Sequence, residues 1–227
     1  MNYSLIIPIY NEERTLIRLI DELSYINNKK LEVIIIDDGS DDGTKKILNQ
    51  YLDQFVISIN EINIGKGASI IKGTKLASHE NIILIDGDLE VDINDIPGLI
   101  LKYETKKSDV IAGVRWINKN SRKYSNINSI GNFIINYLFN LLYKSNFNDV
   151  LCCIKILSLK NFKSLKIQSQ GFSIEAETMA KLVLNGFTID EHLVKYNRRT
   201  AQEGKKLKFS DGWNIIWIIF KLRFLYD

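Results

Sequence analysis

Five short apolar runs alternate with helical segments in the first half of the chain, and this alternation limits the possible folds more than any other feature. The runs are rich in Ile and Val and cover residues 4–9, 32–36, 56–59, 82–85 and 109–112. Because they show little polar alternation, we interpret them as strands buried on both faces of a sheet. Segments 13–26 and 44–52 place apolar residues at three- and four-residue steps, as in an amphipathic helix. The pattern predicts an α/β fold with a mostly parallel sheet flanked by helices.

The composition is that of one globular domain. The 227 residues are 45% hydrophobic and 25% charged, with a formal net charge of +3. So small a charge disfavours a dedicated nucleic-acid binder, and we expect no nucleic acid among the partners. The two cysteines, Cys152 and Cys153, are adjacent, and their spacing fits neither a disulfide nor a zinc site, which indicates a reducing compartment. The sequence predicts neither a signal peptide nor a run of about 20 apolar residues that could span a membrane.

Clusters of polar residues and glycines follow each predicted strand. In parallel sheets ligands bind beyond the carboxyl ends of the strands. The clusters are Pro8-Ile9-Tyr10-Asn11-Glu12, Asp37-Asp38-Gly39-Ser40, Asn63-Ile64-Gly65-Lys66-Gly67, Asp86-Gly87-Asp88-Leu89-Glu90 and Gly113-Val114-Arg115. Their shared position predicts one composite site more strongly than any single motif does.

Asp86 and Asp88 flank a glycine directly after the fourth predicted strand. Two carboxylates at this spacing can reach one hard cation, which in turn bridges phosphate oxygens. We expect Gly87 to leave room for a close ligand and Glu90 to be able to supply a third oxygen. The alternative for an isolated Asp-Gly-Asp is a polar turn with an aspartate that caps a helix. The position at the ligand-binding edge favours a metal site.

Two further clusters indicate nucleotide binding. The carboxylate of Asp37 or Asp38 can accept hydrogen bonds from a ribose or from base N–H groups. The alternative is a strand-to-helix turn capped by Ser40 or Asp42, and both roles can hold at once. Lys66 lies between two glycines at the start of a predicted helix, where an anion is attracted. A plain loop explains this cluster equally well, since the P-loop spacing is missing.

Several cationic side chains could bind phosphate, although each alone is more typical of a solvated surface charge. They are Arg115, Arg122, Arg198, Arg199 and Lys206. The two histidines, His79 and His192, form no recognisable Ser-His-Asp or Cys-His arrangement. This disfavours covalent catalysis.

The second half of the sequence predicts further helices. An amide stripe repeats every four residues among apolar positions and consists of Asn128, Asn132, Asn136 and Asn140. Residues 171–184 and 211–226 also have helical patterns, and residues 188–196 are predicted to form a strand. The last helix gathers large apolar side chains on one face: Trp213, Ile216, Trp217, Phe220 and Phe224. Such a face either lies in a membrane interface or packs on the protein's own core.

Taken in order, these motifs resemble the inverting family 2 glycosyltransferases with the GT-A fold, and among them the polyprenyl- and dolichyl-phosphate mannosyl- and glucosyltransferases. The resemblance covers nearly the whole chain. Besides the five clusters, it rests on Asp41-Asp42-Gly43-Thr44, Gly171-Phe172, Glu175-Ala176-Glu177, Tyr196, Arg198-Arg199, Lys206-Leu207 and Asp211-Gly212-Trp213. It implies a single GT-A domain over residues 1–227, with a nucleotide-sugar-binding half in 1–115 and an acceptor half with an amphipathic C-terminal helix in 116–227.

The resemblance implies roles for the donor-binding residues. Those that would hold the nucleoside are Pro8, Tyr10, Glu12 and Asp38. Asp86 and Asp88 would hold Mg²⁺ or Mn²⁺ on the diphosphate, and Glu90 stands where relatives often carry a metal-binding Gln. One of Arg198 and Arg199, with Lys206, would bind the donor diphosphate on a closing loop.

On the acceptor side the resemblance implies that Arg115 and Ser129 contact a phosphate. Relatives usually carry an Arg four residues before that serine, where this chain has Ser125, so Arg122 or Lys123 would have to substitute. Two other departures are Cys152-Cys153-Ile154-Lys155, where relatives often read Cys-Gly-Phe-Lys, and a slightly long spacing from the arginines to Gly204-Lys205-Lys206-Leu207. These changes threaten activity rather than fold.

The implied activity is transfer of a hexose from a GDP-mannose- or UDP-glucose-type donor to a polyprenyl phosphate or another lipid-linked acceptor. The implied location is cytoplasmic, peripheral on the inner face of the cytoplasmic membrane, and a homo-oligomer is compatible with the sequence.

Three other activities are alternatives to this one. A sugar-hydroxyl acceptor would require a general base, for which Glu175 or Glu177 is the first candidate; otherwise these two would lie on an exposed helix face. A sugar-1-phosphate nucleotidyltransferase is disfavoured because no glycine-rich loop follows the first strand. A non-catalytic nucleotide-sugar-binding protein at the membrane stays open.

Overall fold

The structure is a computed structural model that describes residues 1–26, 30–116, 127–199 and 209–225, without the side chains of 127–129 and 209–210. A short 3₁₀ turn, Ile93–Asp95, precedes α4. The strands and helices in chain order are β1 Tyr3–Ile9, α1 Glu13–Ile26, β2 Leu31–Asp37, α2 Thr44–Leu48, β3 Val56–Ile59, α3 Lys66–Leu76, β4 Asn81–Leu84, α4 Ile96–Thr105, β5 Val110–Val114, α5 Ile127–Tyr143, β6 Lys155–Ser158, α6 Leu159–Ser164, α7 Ile174–Leu184, β7 Ile189–Leu193 and α8 Phe209–Leu225.

The strands form one seven-stranded sheet in the order β3-β2-β1-β4-β6-β5-β7. All neighbouring strands run parallel except β6, which is antiparallel to both β4 and β5. The predicted α/β class with a mostly parallel sheet flanked by helices is therefore confirmed, as is a C-terminal helix.

The sequence analysis did not predict β6. This strand, Lys155–Ser158, begins with a lysine and ends with a serine, so it lacks the Ile/Val run that identifies the other central strands. Its lysine is nevertheless 1% exposed, because it forms an ion pair inside the fold. Burial of a charge against a distant partner leaves no local sequence pattern.

Each face of the sheet carries its own hydrophobic core, which explains the continuous apolar runs. Ile7 and Ile35 belong to a core that includes residues of α1 and α4. Their neighbours Ile6 and Ile34 point to the opposite face, into a core shared with α3, α5, α7 and α8. Successive strand residues point to opposite faces, and here both faces are covered by helices.

Gly87 has a structural role that differs from the expected one. A Cβ at this position would lie 2.3 Å from Ile9 Cγ2 and 3.1 Å from Ile7 Cγ2. The absent side chain would therefore collide with the core beneath the loop. Close packing against β1 therefore requires a glycine at this position, which also lines the cavity at the site.

Helix α8 has two apolar faces instead of the single one predicted. Ile215, Ile219 and Leu222 are buried in the core, whereas Trp213 and Trp217 are 67% and 64% exposed. Packing on the protein's own core therefore applies to one face, and the tryptophan face is left exposed. No helix within the described ranges is both long and apolar enough to cross a bilayer.

Candidate active site

A cavity of about 1050 Å³ opens where β1, β2 and β4 end. Its wall brings together many of the predicted residues: Pro8, Tyr10, Glu12, Asp38, Lys66, Asp86, Asp88, Glu90, Arg115 and Arg199. Asp37 and Arg198 do not line it. Arg122, Lys206 and the side chain of Ser129 lie outside the described part of the chain.

The two aspartates at the end of β2 have different environments. Asp38 accepts hydrogen bonds from Ser69 Oγ at 2.9 Å and from the backbone N–H of Gly65 at 2.9 Å, which fixes the loop in front of α3. Asp37 is fully buried behind it and accepts a hydrogen bond from the Ser40 hydroxyl. Burial raises the pKa of Asp37, although the bonds from Ser40 oppose the shift. Asp37 therefore holds the turn that carries Asp38.

Lys66, the first residue of α3, is paired with carboxylates. Its Nζ lies 2.7 Å and 2.8 Å from the two oxygens of Asp86 and 2.9 Å from Glu175 Oε1. Burial alone would lower the pKa of Lys66, but the charges of Asp86 and Glu175 outweigh it and raise the pKa well above its usual value. The ammonium predicted to attract a ligand anion is thus engaged by two protein carboxylates.

Asp88 lies among negative charges. Its Oδ1 accepts a hydrogen bond from the backbone N–H of Glu90 at 2.9 Å. Burial and the charges of Asp86 and Glu90 raise the pKa of Asp88 to about 7. Besides burial, the neighbouring charges of Asp86 and Glu90 contribute to this shift, and a bound cation would offset them.

The carboxylates after β4 fit a metal ion that is shared with a substrate rather than enclosed by protein. No group of three or more His, Cys, Asp or Glu side chains within the described ranges is arranged to hold a metal. Glu90, the expected third ligand, instead accepts hydrogen bonds from the Tyr196 hydroxyl at 2.7 Å and the Arg199 N–H at 2.9 Å. Mg²⁺ is usually bound by one or two carboxylates plus substrate phosphates, which is the arrangement that Asp86 and Asp88 can offer.

Arg199 connects the segment after β7 to the loop after β1. Its Nη1 lies 2.8 Å and 3.0 Å from the Glu12 carboxylate oxygens, and its Nη2 donates to Thr15 Oγ1 at 2.9 Å. Both ion-paired side chains are nearly buried, at 12% and 5% exposure. The geometry brings a guanidinium to the cavity beside the predicted nucleoside-binding loop.

Arg115 is oriented by a residue that the sequence analysis missed. Its Nε and Nη2 donate to the two carboxylate oxygens of Asp149 at 2.7 Å and 2.9 Å. The guanidinium also lies over the rings of Trp116 and Tyr196, at 4.7 Å and 5.1 Å from their centroids. A buried arginine requires such a carboxylate, but the sequence does not indicate which of the acidic residues provides it.

The amide stripe of α5 supports the loop that carries Asp149. Asn140 Nδ2 donates to the Phe147 carbonyl at 2.8 Å, and its Oδ1 accepts from the Phe147 N–H at 2.9 Å. Asn136 donates to the same carbonyl at 2.9 Å and accepts from the Val150 N–H at 2.9 Å. The stripe recognised in the sequence therefore acts as a backbone anchor.

Glu175 and Glu177 are both buried, which excludes an exposed helix face for this pair. Glu175 lines the cavity and lies between two ammonium groups, those of Lys66 and Lys155. Glu177 does not line the cavity; it pairs with Lys181 at 2.6 Å and accepts backbone hydrogen bonds from residues 168 and 169. Burial would raise the pKa of Glu175, but the charges of Lys155 and Lys66 outweigh it and lower the pKa.

Comparisons with known proteins agree with this fold. The profile of "Glycosyl transferase family 2" matches residues 4–166. An uncharacterised protein of Methanocaldococcus jannaschii is 32% identical over 83% of this chain and 85% of its own length. A dodecaprenyl-phosphate galacturonate synthase of Rhizobium johnstonii is 27% identical over 75% of this chain, which spans 52% of that enzyme.

A solved structure gives the same picture of the fold. It is glucosyl-3-phosphoglycerate synthase of Mycobacterium tuberculosis in complex with Mn²⁺, uridine diphosphate and phosphoglyceric acid, with a TM-score of 0.76 and 17% identity over 100% of this chain and 80% of that one. At this identity the likeness concerns the fold, which is GT-A. The profile match, which spans more than half of the sequence, supplies the family: this chain belongs to glycosyl transferase family 2.

Proposed function

We propose that the protein transfers a hexose, with inversion, from a nucleotide diphosphate sugar to a polyprenyl phosphate, with Mg²⁺ or Mn²⁺ bound at Asp86 and Asp88. The observation that carries the proposal is the convergence of these two carboxylates, Arg199 and the loop after β1 on one cavity. Donors of the UDP-glucose and GDP-mannose types both suit it.

The donor would lie along the edge formed by the loops after β1 and β2. Pro8, Tyr10, Glu12 and Asp38 line this part of the cavity and would hold the nucleoside. Arg199 would exchange part of its pairing with Glu12 for the donor diphosphate, since arginine binds phosphate oxygens in a bidentate manner.

The metal site would lie where the donor diphosphate meets the residues after β4. The chemistry supplied by a bound divalent ion is neutralisation of the charge that grows on the departing nucleotide diphosphate. Asp86, held by Lys66, and Asp88, close to the charges of Asp86 and Glu90, would fix the position of the diphosphate relative to the sugar. Arg199 would add a positive charge at the same oxygens.

A phosphate acceptor suits the chemistry of this cavity. Attack by a phosphate oxygen, which is already an anion, requires no strong general base. Glu175, the cavity-lining candidate for a base, is held between two lysines that lower its pKa and so weaken it as a base. Arg115, with its guanidinium fixed by Asp149, would bind the acceptor phosphate.

We further propose that the protein docks on a membrane through two exposed apolar stripes. One stripe lies on α5 and comprises Ile130, Ile134, Tyr137 and Leu141; the other lies on α8 and comprises Trp213, Trp217, Phe220 and Phe224. We call them together the apolar surface. The helices run side by side, since the Tyr143 hydroxyl donates to the Ile219 carbonyl at 2.9 Å. A large apolar patch of this kind marks an interaction site, and Trp and Tyr favour the membrane interface.

Charge and position both favour a lipid surface for this patch. Helix α5 carries no charged residue, whereas Lys144, Lys221 and Arg223 are exposed at or just beyond the C-terminal ends of the two helices. Basic residues beside an apolar face are attracted to anionic lipid headgroups. Ile134 and Trp213 belong both to the apolar surface and to the cavity wall, so a prenyl chain could pass from bilayer to cavity without crossing water.

The proposed activity can be tested with a panel of UDP- and GDP-sugars, Mn²⁺ and a short polyprenyl phosphate, with lipid-linked product as the readout. We expect product from one donor, and loss of at least about 100-fold in rate for Asp88→Ala, in line with removal of a group that stabilises transition-state charge. Asp53→Ala removes an exposed carboxylate outside the cavity and serves as the control. Transfer to soluble glycans only would overturn the proposal that the acceptor is a polyprenyl phosphate. Binding of a donor without turnover in every combination would favour a non-catalytic binding protein.

A further inference from the structure

Four charged side chains form a chain that runs from the cavity wall into the core. Asp86, Lys66, Glu175 and Lys155 alternate in sign, with N–O separations of 2.7 Å, 2.9 Å and 2.6 Å between successive partners. They come from four different parts of the fold: the end of β4, the start of α3, the start of α7 and the start of β6. Their formal charges sum to zero.

Lys66 is surrounded by carboxylate oxygens in this arrangement. An ammonium has three N–H donors, and Lys66 Nζ has three carboxylate oxygens within 2.9 Å: both of Asp86 and one of Glu175. The side chain is 11% exposed. Its position is therefore determined by how its charge is shared between the two carboxylates.

Glu175 in turn divides its charge between two lysines. Its Oε2 lies 2.6 Å from the Nζ of Lys155, which also donates to the Cys152 carbonyl. Lys155 is 1% exposed and does not line the cavity, so it contacts no ligand there. A stronger hold of Lys155 on Glu175 leaves Glu175 less able to draw Lys66 away from Asp86.

We propose that Glu175 is a positioning residue that acts through Lys66 to keep the Asp86 carboxylate available to a divalent cation, and that Lys155 opposes it. This rests on the proposed function only in its use of a metal at Asp86 and Asp88. Lys66 competes with a cation for the Asp86 oxygens. Glu175 weakens that competition and adds a negative charge near the site, whereas Lys155 offsets both effects. Removal of the Glu175 charge should therefore weaken binding of the cation, and removal of the Lys155 charge should strengthen it.

The test is Mn²⁺ affinity in the presence of UDP or of GDP, measured by electron paramagnetic resonance on the full chain, without an acceptor. Glu175→Gln is expected to weaken Mn²⁺ binding at least about 10-fold, because Lys66 then pairs with Asp86 alone. Lys155→Met, which keeps the volume but removes the charge, is expected to tighten it about 3-fold or more. The double variant restores the charge balance and is expected to lie between the two single variants, which a double-mutant cycle quantifies.

A loss of stability alone would give a different pattern. Glu177→Gln removes an equally buried, lysine-paired carboxylate from the same helix whose side chain does not line the cavity. The Glu177→Gln variant is expected to have a lower melting temperature, while its Mn²⁺ affinity stays within about 2-fold of wild type. If Glu175→Gln fails to fold, the inference is still tested by whether Lys155→Met binds Mn²⁺ more tightly and whether the double variant reduces that gain.

Unchanged Mn²⁺ affinity in Glu175→Gln, or a shift of both single variants in the same direction, would overturn the inference while leaving the proposed function intact. If the wild-type protein bound no Mn²⁺ in the presence of either UDP or GDP, both the inference and the proposed function would be overturned.

Discussion

Arg115 illustrates how one side chain at the cavity depends on a partner far along the chain. Its side chain is 11% exposed and that of its partner Asp149 only 4% exposed. Removal of one partner of a buried pair leaves an uncompensated charge, which is far more costly than loss of an exposed pair. Loss of the carboxylate that orients Arg115 should therefore also lower the stability of the fold.

Asp149→Asn is expected to lower the free energy of unfolding by about 3 kcal/mol, the cost typical of a broken buried ion pair. Urea unfolding of the purified protein measures this. Glu22→Gln breaks the pair with Arg18, whose side chain is 72% exposed, and should cost no more than about 0.5 kcal/mol. Equal losses of unfolding free energy in the two variants would contradict a stabilising effect of burial on the Arg115–Asp149 pair.

Asp37 predicts a pH dependence of stability. Because burial raises its pKa in the folded state, the folded protein holds this proton more tightly than the unfolded chain does. Its contribution to stability is therefore lost as pH rises from the ordinary Asp pKa of about 4 through the raised value. Asp37→Asn should be more stable relative to wild type at pH 8 than at pH 4.5, as measured by urea unfolding across that range.

Asp42 provides a control of opposite sign. Burial would raise its pKa, but hydrogen bonds from Thr44 and a backbone bond from Glu13 outweigh this and lower it. Asp42→Asn should therefore lose stability relative to wild type as pH rises to the ordinary Asp pKa of about 4, so its urea unfolding is measured from below that pH upward. If both variants shifted in the same direction, the pH dependence could not be attributed to these two carboxyl groups.

At the scale of single elements, α8 shows how one sequence pattern can serve two purposes. Its buried residues Ile215, Ile219 and Leu222 lie on one side, and Trp213, Trp217 and Phe224 lie exposed on the other. A helix that is apolar all round lacks the polar face that would identify its solvent side in the sequence. The sequence therefore left open which face meets the core, and the packing against α5 and α7 decides it.

The membrane proposal predicts that the exposed tryptophans drive binding to vesicles. Trp213→Ser with Trp217→Ser should weaken co-sedimentation with vesicles of anionic phospholipid at least about 10-fold, given the apolar area lost per tryptophan. Tyr25→Ser, on α1 at the opposite face of the sheet, removes a 90% exposed aromatic ring and should leave binding unchanged. If the double variant bound the vesicles as strongly as the wild-type protein, docking through the apolar surface would be contradicted.

At the scale of the whole molecule, the sequence predicts all the described strands except β6, and β1 to β5 are recognised by their apolar runs. Their Ile/Val runs are continuous because helices cover both faces, so β1 to β5 are recognisable without knowledge of their partners. Strand β6 was not, because it begins with a buried lysine that is stabilised by Glu175 on another element. What the sequence predicted is local; what it missed depends on pairing between distant segments.

The same distinction applies to the site. The position of the polar clusters after strands predicted that Asp86, Asp88 and the loop after β1 would meet, since carboxyl ends of parallel strands share an edge. Pairing within the site was not predictable: Lys66 with Asp86, Glu12 with Arg199 and Arg115 with Asp149 all join residues at least 20 positions apart. Sequence identifies the chemical groups, and the fold decides which of them neutralise one another.

The central claim is that Asp86 and Asp88 hold a divalent ion on the diphosphate of the donor. Anomalous diffraction from crystals grown with Mn²⁺ and a nucleoside diphosphate tests it most directly. We predict a manganese peak about 2.1 Å from a carboxylate oxygen of Asp88 or Asp86 and from diphosphate oxygens. A diphosphate bound in this cavity with no manganese at either carboxylate, or with manganese elsewhere, would contradict the account.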